Sequence, residues 1–370
     1  MARKINSDAP RADEIEVSLF GPGRGESVLV HVGDGKWITI DSCVNQRDGS
    51  SPALDYLASI GVSIASDVIL VIATHAHDDH TAGISRMFAS AQAARFVTSA
   101  AFTSSEFFAS VAADEDIEAQ LNQSVRREFR AVFEEIRVRA GRGARPIVRA
   151  FSQRSLLDVD AQAWPGGPPL RVVTLSPSET AVDRSQQAVA SGAARVGERR
   201  RLSAPDPNEY SVAVWIEVGD RALLFGADLL IGPAGCGWLA IADEHQPEVK
   251  ASLFKVPHHG SSNAHLESTW NALLANDVIS IVTPFRMGSR SIPSDSDVAR
   301  ITELSGRAFI TAKPQQPASG KGVKIAKAAL PTFAKNVRDP GGLPGQIQAR
   351  LPLGSSEWQV AVSEPAHQII

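Results

Sequence analysis

Apolar positions along the chain change period several times, and the changes mark out elements. Ile15–Phe20, Ser27–Val32 and Trp37–Asp41 alternate or run apolar over strand-like lengths. The last two are joined by Val32-Gly33-Asp34-Gly35-Lys36, a hairpin turn. Pro52–Ile60 has helical spacing and stops at Gly61. Val68–Thr74 is an unbroken apolar, β-branched run, the pattern of a strand buried on both faces. Ala94–Thr98 reads as another short strand. Ile117, Leu121, Val125, Phe129, Phe133 and Ile136 then step by three or four, a helical stripe within a segment from about 103 to 149. Gly141-Arg142-Gly143 ends that stripe. Leu170–Ser176 returns to strand. The polar stretch from 178 to 208 reads as a loop or partly helical lid. Tyr210–Val218 and Arg221–Phe225 form a hairpin across Gly219-Asp220.

Beyond the strand Ser252–Val256, helix Leu266–Ala275, strand Val278–Thr283, helix Asp295–Leu304 and strand Ala308–Thr311 alternate in the α/β manner. The stretch from 313 to 345 is rich in Pro, Gly and Lys and reads as linker or surface loop. Gln346–Arg350 and Trp358–Val362 suggest a closing hairpin. There is no internal repeat. The pattern predicts one α/β domain over 1–370, with a helical insertion at about 103–149, a polar loop at about 178–208 and a C-terminal extension at about 313–370.

Composition narrows the class. With 370 residues and 43% apolar content the chain can bury a large core. A net charge of −4 argues against global attraction to nucleic acid, though not against a local basic groove. Cys43 and Cys236 stand far apart, with neither disulfide-framework nor metal-ligand spacing, which predicts a reducing, cytoplasmic setting. The first residues lack the apolar stretch of a secretory signal, and no run of about eighteen apolar residues suggests a membrane span.

The strongest chemical signal follows the Val68–Thr74 strand: His75-Ala76-His77-Asp78-Asp79-His80, three histidines and two aspartates in six residues. Imidazole and carboxylate are ligands for zinc, manganese and iron. His75 and His77, two apart on an extended strand end, can face one metal, and Asp79 and His80, past the turn, a second. A strand-end aspartate, Asp228, follows Leu223–Ala227, and Val256-Pro257-His258-His259-Gly260-Ser261-Ser262 ends another strand in paired histidines. Taken alone, Asp228 reads more readily as a turn residue or helix cap than as a ligand.

Together these segments resemble the metallo-β-lactamase superfamily. The nearest likeness is to the soluble hydrolase domain of the DNA-uptake protein ComEC and its stand-alone relatives. The residues that carry it are the HxHxDH motif, the glycine turn Phe20–Ser27 leading to a hairpin that ends in Asp41, the strand start Asn208-Glu209-Tyr210-Ser211-Val212, and Lys255–Ser261. The likeness covers roughly residues 15 to 312 without the insertions. It implies a four-layer αββα sandwich with a site at one edge and two divalent metal ions, zinc or manganese. By it Asp79, His80 and one of the pair His258/His259, with His259 favoured, hold the second metal, Asp228 bridges, and Asp41 orients a ligand histidine. His258 would contact substrate. Asp79 would also hold the proton of a metal-bound hydroxide. The family's further histidine ligand is absent, since no histidine lies between His80 and His245. The first metal would keep only His75, His77 and Asp228, with solvent or a hydroxyl such as Ser99, and so be the weaker.

Substrate is read from charge. Residues 126–154 hold nine arginines and no lysine against Glu128, Glu134 and Glu135, and Arg199-Arg200-Arg201 adds a cluster. Arginine suits bidentate phosphate contacts. The same arginines fit a solvated helix face or a surface for an acidic protein partner. The expectation is a metal-dependent phosphodiesterase or nuclease acting on nucleic acid or a nucleotide. Two alternatives stand beside it: a hydrolase of ester, lactone or β-lactam substrates, and a non-catalytic metal-binding member of a multi-protein system. An aromatic content of 6% does not support an extended single-strand stacking platform.

Overall fold

The computed structural model describes residues 4–22, 25–102, 123–160, 162–164, 166–193, 206–287, 290–313 and 344–369. The first sheet holds β1 (Glu14–Gly21), β2 (Ser27–His31), β3 (Trp37–Ile40), β4 (Val68–Ala73), β5 (Arg95–Ser99) and β6 (Ile147–Ala150), extended past β1 by β16 (Gly345–Pro352) and β17 (Gln359–Ser363). The second holds β7 (Arg154–Val159), β8 (Leu170–Thr174), β9 (Val214–Val218), β10 (Arg221–Phe225), β11 (Ala251–Lys255), β12 (Leu274–Val282), β15 (Arg307–Ile310) and β18 (His367–Ile369). A separate hairpin pairs β13 (Phe285–Met287) with β14 (Arg290–Ile292). The strand order is β17-β16-β1-β2-β3-β4-β5-β6 in one sheet and β18-β15-β12-β11-β10-β9-β8-β7 in the other.

Helices flank the sheets. They are α1 (Pro52–Ser59), α2 (Ile64–Asp67), α3 (Asp78–Thr81), α4 (Ile84–Ser90), α5 (Gln123–Gly141), α6 (Glu179–Ala193), α7 (Gly237–Glu244), α8 (Glu267–Leu273) and α9 (Asp295–Leu304). Three apolar clusters show why the layers stack αββα. Successive strand residues face opposite sides of a sheet, so each strand feeds two clusters. Ile15, Val17 and Leu19 of β1 meet Val214, Ile216 and Val218 of β9 in the cluster between the sheets. Outside the first sheet, Leu29, Val71 and Phe96 pack with Leu57 of α1, Met87 and Phe88 of α4 and Val132 of α5. Outside the second, Trp215, Leu224 and Phe254 pack with Trp238 of α7, Trp270 of α8 and Ile301 of α9. Each fully buried side chain of this size contributes about 1.5–3 kcal/mol. The four-layer sandwich is therefore present, as the family resemblance implied.

Several elements differ from the sequence reading. The polar stretch after 178, read as a loop or partly helical, is helical over Glu179–Ala193 in keeping with the second of these, and residues 194–205 lie outside the described ones. The second hairpin begins at Val214 rather than Tyr210, because Pro207–Tyr210 makes a 3-10 turn capped by Asp206. Of the helical stripe, Ile117 and Leu121 lie outside the described residues, while the rest sits on α5. The C-terminal strands enter the sheets: β16 pairs with β1 over its whole length, and β18 pairs with β15.

The parallel strands β3-β4-β5-β6 and β10-β11-β12-β15 position the chemistry. Side chains just past the C-terminal ends of β4, β10 and β11 converge on one edge of the sandwich. Crevices outside strand C-termini are where open α/β sheets bind ligands.

Candidate metal centre

Three strand ends supply the centre. After β4 comes Thr74, whose N–H donates to Asp41 Oδ1 at 2.8 Å. His75 and His77 follow, and the single turn of α3 then raises Asp79 and His80. After β10, Gly226 and Ala227 turn the chain so that buried Asp228 faces His80 and His259. After β11, Pro257 leads to His258 and His259. Asp41, Ala227, His258 and His259 all have positive φ, at 59°, 47°, 47° and 54°. Such backbone costs about 1–3 kcal/mol per residue and gathers where function needs it. A glycine turn closes the edge: Glu26 N–H donates to Asp79 O at 2.9 Å. A Cβ on Gly25, whose φ is 104°, would stand 1.8 Å from that same carbonyl oxygen. Only glycine fits there.

Four side chains close on a common point. His80 Nε2 and His259 Nε2 each lie 3.4 Å from Asp228 Oδ2. Asp79 Oδ2 is 3.4 Å from His259 Nε2 and 3.9 Å from His80 Nε2. Ligands bound about 2 Å from a tetrahedral zinc stand about 3.3 Å from one another. The spacing therefore fits a divalent ion. Both ring nitrogens and Asp228 Oδ1 are buried with no hydrogen-bond partner. Orphaned polar atoms in a protein interior call for a ligand. The pair expected to form a first site is thinner. His75 Nε2 and His77 Nδ1 approach to 3.2 Å, and Asp228 Oδ2 stands 4.0 Å from His75 Nε2. Among the described residues, two groups of three or more potential ligand atoms gather within 4.8 Å: Asp79, His80, Asp228 and His259, and Asp41, His75 and His80. His77 belongs to neither. The second group is a hydrogen-bonded chain behind the first, because Asp41 holds the far side of His80.

Neighbouring acceptors fix the imidazole tautomers. His80 Nδ1 donates to Asp41 Oδ2 at 2.7 Å, and His259 Nδ1 donates to the Thr283 carbonyl at 3.0 Å. Thr74 Oγ1 donates to Asp41 Oδ2, so it is left to accept from His75 Nδ1 at 2.9 Å. Ser211 Oγ, 3.1 Å from the same nitrogen, also accepts the N–H of Asp228. In His80 and His259 Nε2 is the atom left for a metal, whereas His75 Nε2 meets His77 Nδ1, and a partner on the far nitrogen strengthens a ligand histidine.

Electrostatics divide the centre. Burial works against the imidazolium of His80 and His259. The surrounding carboxylates together outweigh it, Asp228 foremost, with Asp41 and Asp79 around His80 and Asp79 and Glu26 around His259, raising His80 well above the usual histidine range and His259 to about 10. Burial likewise works against the charged forms of Asp79 and Asp228, yet the facing histidines hold both carboxyls below their ordinary range. Burial leaves His75 and His77 lowered and neutral. Protons thus sit where a cation would, and metal entry would release them.

The other candidates lie outside the tetrad. His258 stands at its mouth, half-buried, its Nδ1 donating to Asn263 Oδ1 at 2.9 Å and its Nε2 facing Asn208 Nδ2 at 3.4 Å. Ser99 is buried, and its hydroxyl faces the N–H of Ala101 at 3.4 Å. Arg199–Arg201 lie outside the described residues. The arginines of 126–154 divide. Arg139 is buried, donates to the carbonyls of Phe88, Ala91, Gln92 and Ala94, and so caps α4. Arg137 pairs with Glu134. Arg127 and Arg130 are exposed on the end of α5 where Glu128 binds Ser85, just past the metal loop.

Glu26, Lys255, Thr74, Ser211, Thr283 and Phe285 were not foreseen as parts of the centre. Phe285 stacks on His259 with ring centroids 5.0 Å apart. Glu26 and Lys255 stood inside quoted motifs, but their roles depend on contacts between the two sheets.

Neither a family model nor a curated protein sequence matches the chain. Among solved structures it is similar to the metallo-β-lactamase fold protein YhfI from Bacillus subtilis, at 15% identity and a TM-score of 0.38, covering 90% of this chain and 99% of that one. It is also similar to a mutant of the β-hydroxylase CmlA, at 13% identity and a TM-score of 0.36, covering 74% of this chain and 46% of that one. A third is zinc-bound PqqB from Methylobacterium extorquens, at 13% identity and a TM-score of 0.31, covering 76% of this chain and 74% of that one. Similarity this distant carries neither substrate nor metal over to this chain.

Proposed function

We propose that this chain is a metal-dependent hydrolase of phosphodiesters, a counterpart of the ComEC-type hydrolase domain, acting on nucleic acid or a nucleotide. The observation that carries the metal reading is the tetrad Asp79, His80, Asp228 and His259, whose facing ring nitrogens are buried without a hydrogen-bond partner. A divalent cation held there would acidify a water molecule and draw charge from a substrate oxygen. The chain's own groups do the rest. Asp79, less buried than its three partners, can take the proton of the attacking water. His258 presents a polar edge at the mouth, steadied by Asn263, to meet the leaving oxygen. Asp41 and Thr283 keep His80 and His259 in the one tautomer that can bind a metal.

Phosphodiesters are favoured over neutral esters or lactams by Arg127 and Arg130, exposed on the part of α5 whose Glu128 binds Ser85. Arginine there would meet a phosphate bidentately. The exposed arginines of α5 also suit an acidic protein partner, which would meet the chain on that face. Among the described residues no helix is long and apolar enough to cross a membrane.

The test is turnover after metal replacement. Chelator-stripped protein is supplied with manganese, zinc or magnesium and given bis-p-nitrophenyl phosphate, DNA, RNA and a lactam chromophore. Metal-dependent phosphodiester cleavage that vanishes in Asp79→Ala and His80→Ala is the expected result. Lactam turnover alone would overturn the substrate class, and metal binding with no turnover at all would overturn the hydrolase.

A further inference from the structure

Behind the tetrad lies a second buried polar pair that metal chemistry does not require. Lys255 ends β11 in one sheet, and Glu26 precedes β2 in the other. Their side chains form an ion pair, each 2% exposed. Lys255 Nζ also donates to the Ala227 carbonyl at 3.0 Å and stands 3.9 Å from Asp228 Oδ1. Glu26 reaches the other ligands from behind: Oε1 lies 3.7 Å from His80 Nδ1, and Oε2 lies 3.8 Å from His259 Nδ1. The pair therefore touches the rear of three of the four tetrad residues. Through Glu26 N–H it also fixes the carbonyl of the fourth, Asp79.

The ligands come from both sheets. His80 and Asp79 follow β4, while Asp228 and His259 follow β10 and β11. A metal would be one bond across that seam, and Glu26–Lys255 is another that needs no metal. A buried ion pair is a weak source of stability, because desolvation offsets its attraction, but it is a good source of fixed geometry. Its place behind the metal-facing atoms suits the second purpose.

We propose that Glu26 and Lys255 are positioning residues that hold the ligand tetrad in its binding geometry before metal arrives. This rests on the metal reading above. Lys255 keeps the Ala227 turn in its left-handed form, which aims Asp228 Oδ2 at His80 and His259. Glu26 anchors Lys255 and backs both imidazoles.

The test separates positioning from simple charge. In Glu26→Gln/Lys255→Met both charges are gone, and the net charge of the centre is unchanged. Glu26→Asp keeps both charges but shortens the arm by one methylene. Manganese and zinc affinities are measured by calorimetry on chelator-stripped protein, with circular dichroism and a melting curve confirming the fold. Positioning predicts a dissociation constant raised at least about tenfold in both variants, the scale of lost outer contacts at metal sites. A charge-only role, or a mere structural tie, predicts affinities equal to wild type, whatever happens to the melting temperature. That result would overturn the proposal. Should the double variant fail to fold, Glu26→Asp decides alone. A wild type that binds neither ion sinks the metal reading and this inference with it. A binding wild type with unchanged variants sinks this inference only.

Discussion

Two of the buried polar clusters among the described residues are built to different rules. One is the metal tetrad. The other lies on the outer face of the first sheet, around Glu16, which is fully buried. Glu16 accepts from Ser18, from the Tyr56 hydroxyl at 2.7 Å and from Arg350 Nε at 2.7 Å. Gln348 donates to Tyr56 and to the Asn6 carbonyl, and Arg350 also donates to the Asp8 carbonyl. None of the Glu16, Tyr56, Gln348 or Arg350 side-chain atoms is among the buried unpartnered ones, whereas His80 Nε2, His259 Nε2 and Asp228 Oδ1 are. Both clusters bury charge, which is tolerated only when compensated. The Glu16 cluster closes on itself and ties the N-terminal segment and α1 to the sheet. The tetrad stays open toward one point. Closure marks structure, and a shared vacancy of partners marks a ligand site.

Crossed substitutions should break the comparison most sharply. Glu16→Ala leaves Arg350 buried beside the gap, and breaking a buried pair from one side costs about 3–5 kcal/mol. Its denaturant midpoint should fall while manganese or zinc affinity stays as in wild type. Asp228→Ala should do the reverse. Loss of an outer partner costs 10- to 100-fold in metal affinity, so loss of a ligand itself should cost more than about a hundredfold. The stability of its metal-free form should change less than that of Glu16→Ala, because His80 and His259 can give up their protons once the carboxylate that holds them is gone, whereas Arg350 cannot. If each variant lost both properties, the two clusters would be one cooperative unit and the distinction would fail.

Asp41→Asn sharpens the same point at smaller scale. Asparagine tolerates the left-handed backbone at this position and keeps the side chain's shape, yet it removes the charged acceptor of His80 Nδ1–H. Metal affinity should fall about 10- to 100-fold with the fold intact. Equal affinity by calorimetry would mean that Asp41 serves the backbone of Thr74 alone.

The open cluster left a trace in the sequence, and the closed one did not. His75 through His80 are adjacent, follow an apolar run, and are types that rarely crowd together without a ligand. Asp228 and His259 were legible because each ends an apolar strand. The choice of His259 over His258 came with the family resemblance, and in the structure His259 is the one beside Asp79 and Asp228. Glu16 gave the opposite impression. In Glu14-Ile15-Glu16-Val17-Ser18-Leu19 the alternation reads as a strand with one wet face. The structure buries both faces, because β16 pairs alongside and residues 4–13 with α1 cover the polar side. No local pattern carries that. Pairing between residues 14–21 and 345–352 spans more than three hundred positions. Lys255 and Glu26 were hidden for the same reason, since each acquires a role only when the two sheets meet. The edge strands β6 and β7 escaped notice because they are short, half-exposed and carry arginine, which blunts periodicity.

The smallest effect expected concerns His31, beside the closed cluster. Its ring is fully buried, with Nδ1 donating to the Glu14 carbonyl at 2.7 Å and Nε2 accepting from Gly35 N–H at 3.0 Å. That arrangement admits only the neutral ring, since a proton on Nε2 would face the Gly35 N–H. Burial accordingly lowers the group from 6.5 to about 4. Above pH 6.5 both folded and unfolded states are neutral here, and His31 is silent. Between 6.5 and 4 the unfolded chain takes up a proton that the folded one refuses, so stability falls as pH falls. Below 4 both are charged and the loss levels off. From pH 7.5 to 5.5 His31 should therefore remove about 1 kcal/mol. Urea unfolding of chelator-treated protein at those two pH values measures it, and His31→Gln, which keeps a donor and an acceptor, should lose that part of the slope. His75, His77, His245 and His265 are also lowered by burial and act in the same direction. A variant with the full wild-type slope would assign the effect to them, and would show that the polar cluster tolerates a charged ring beside Arg350 after all.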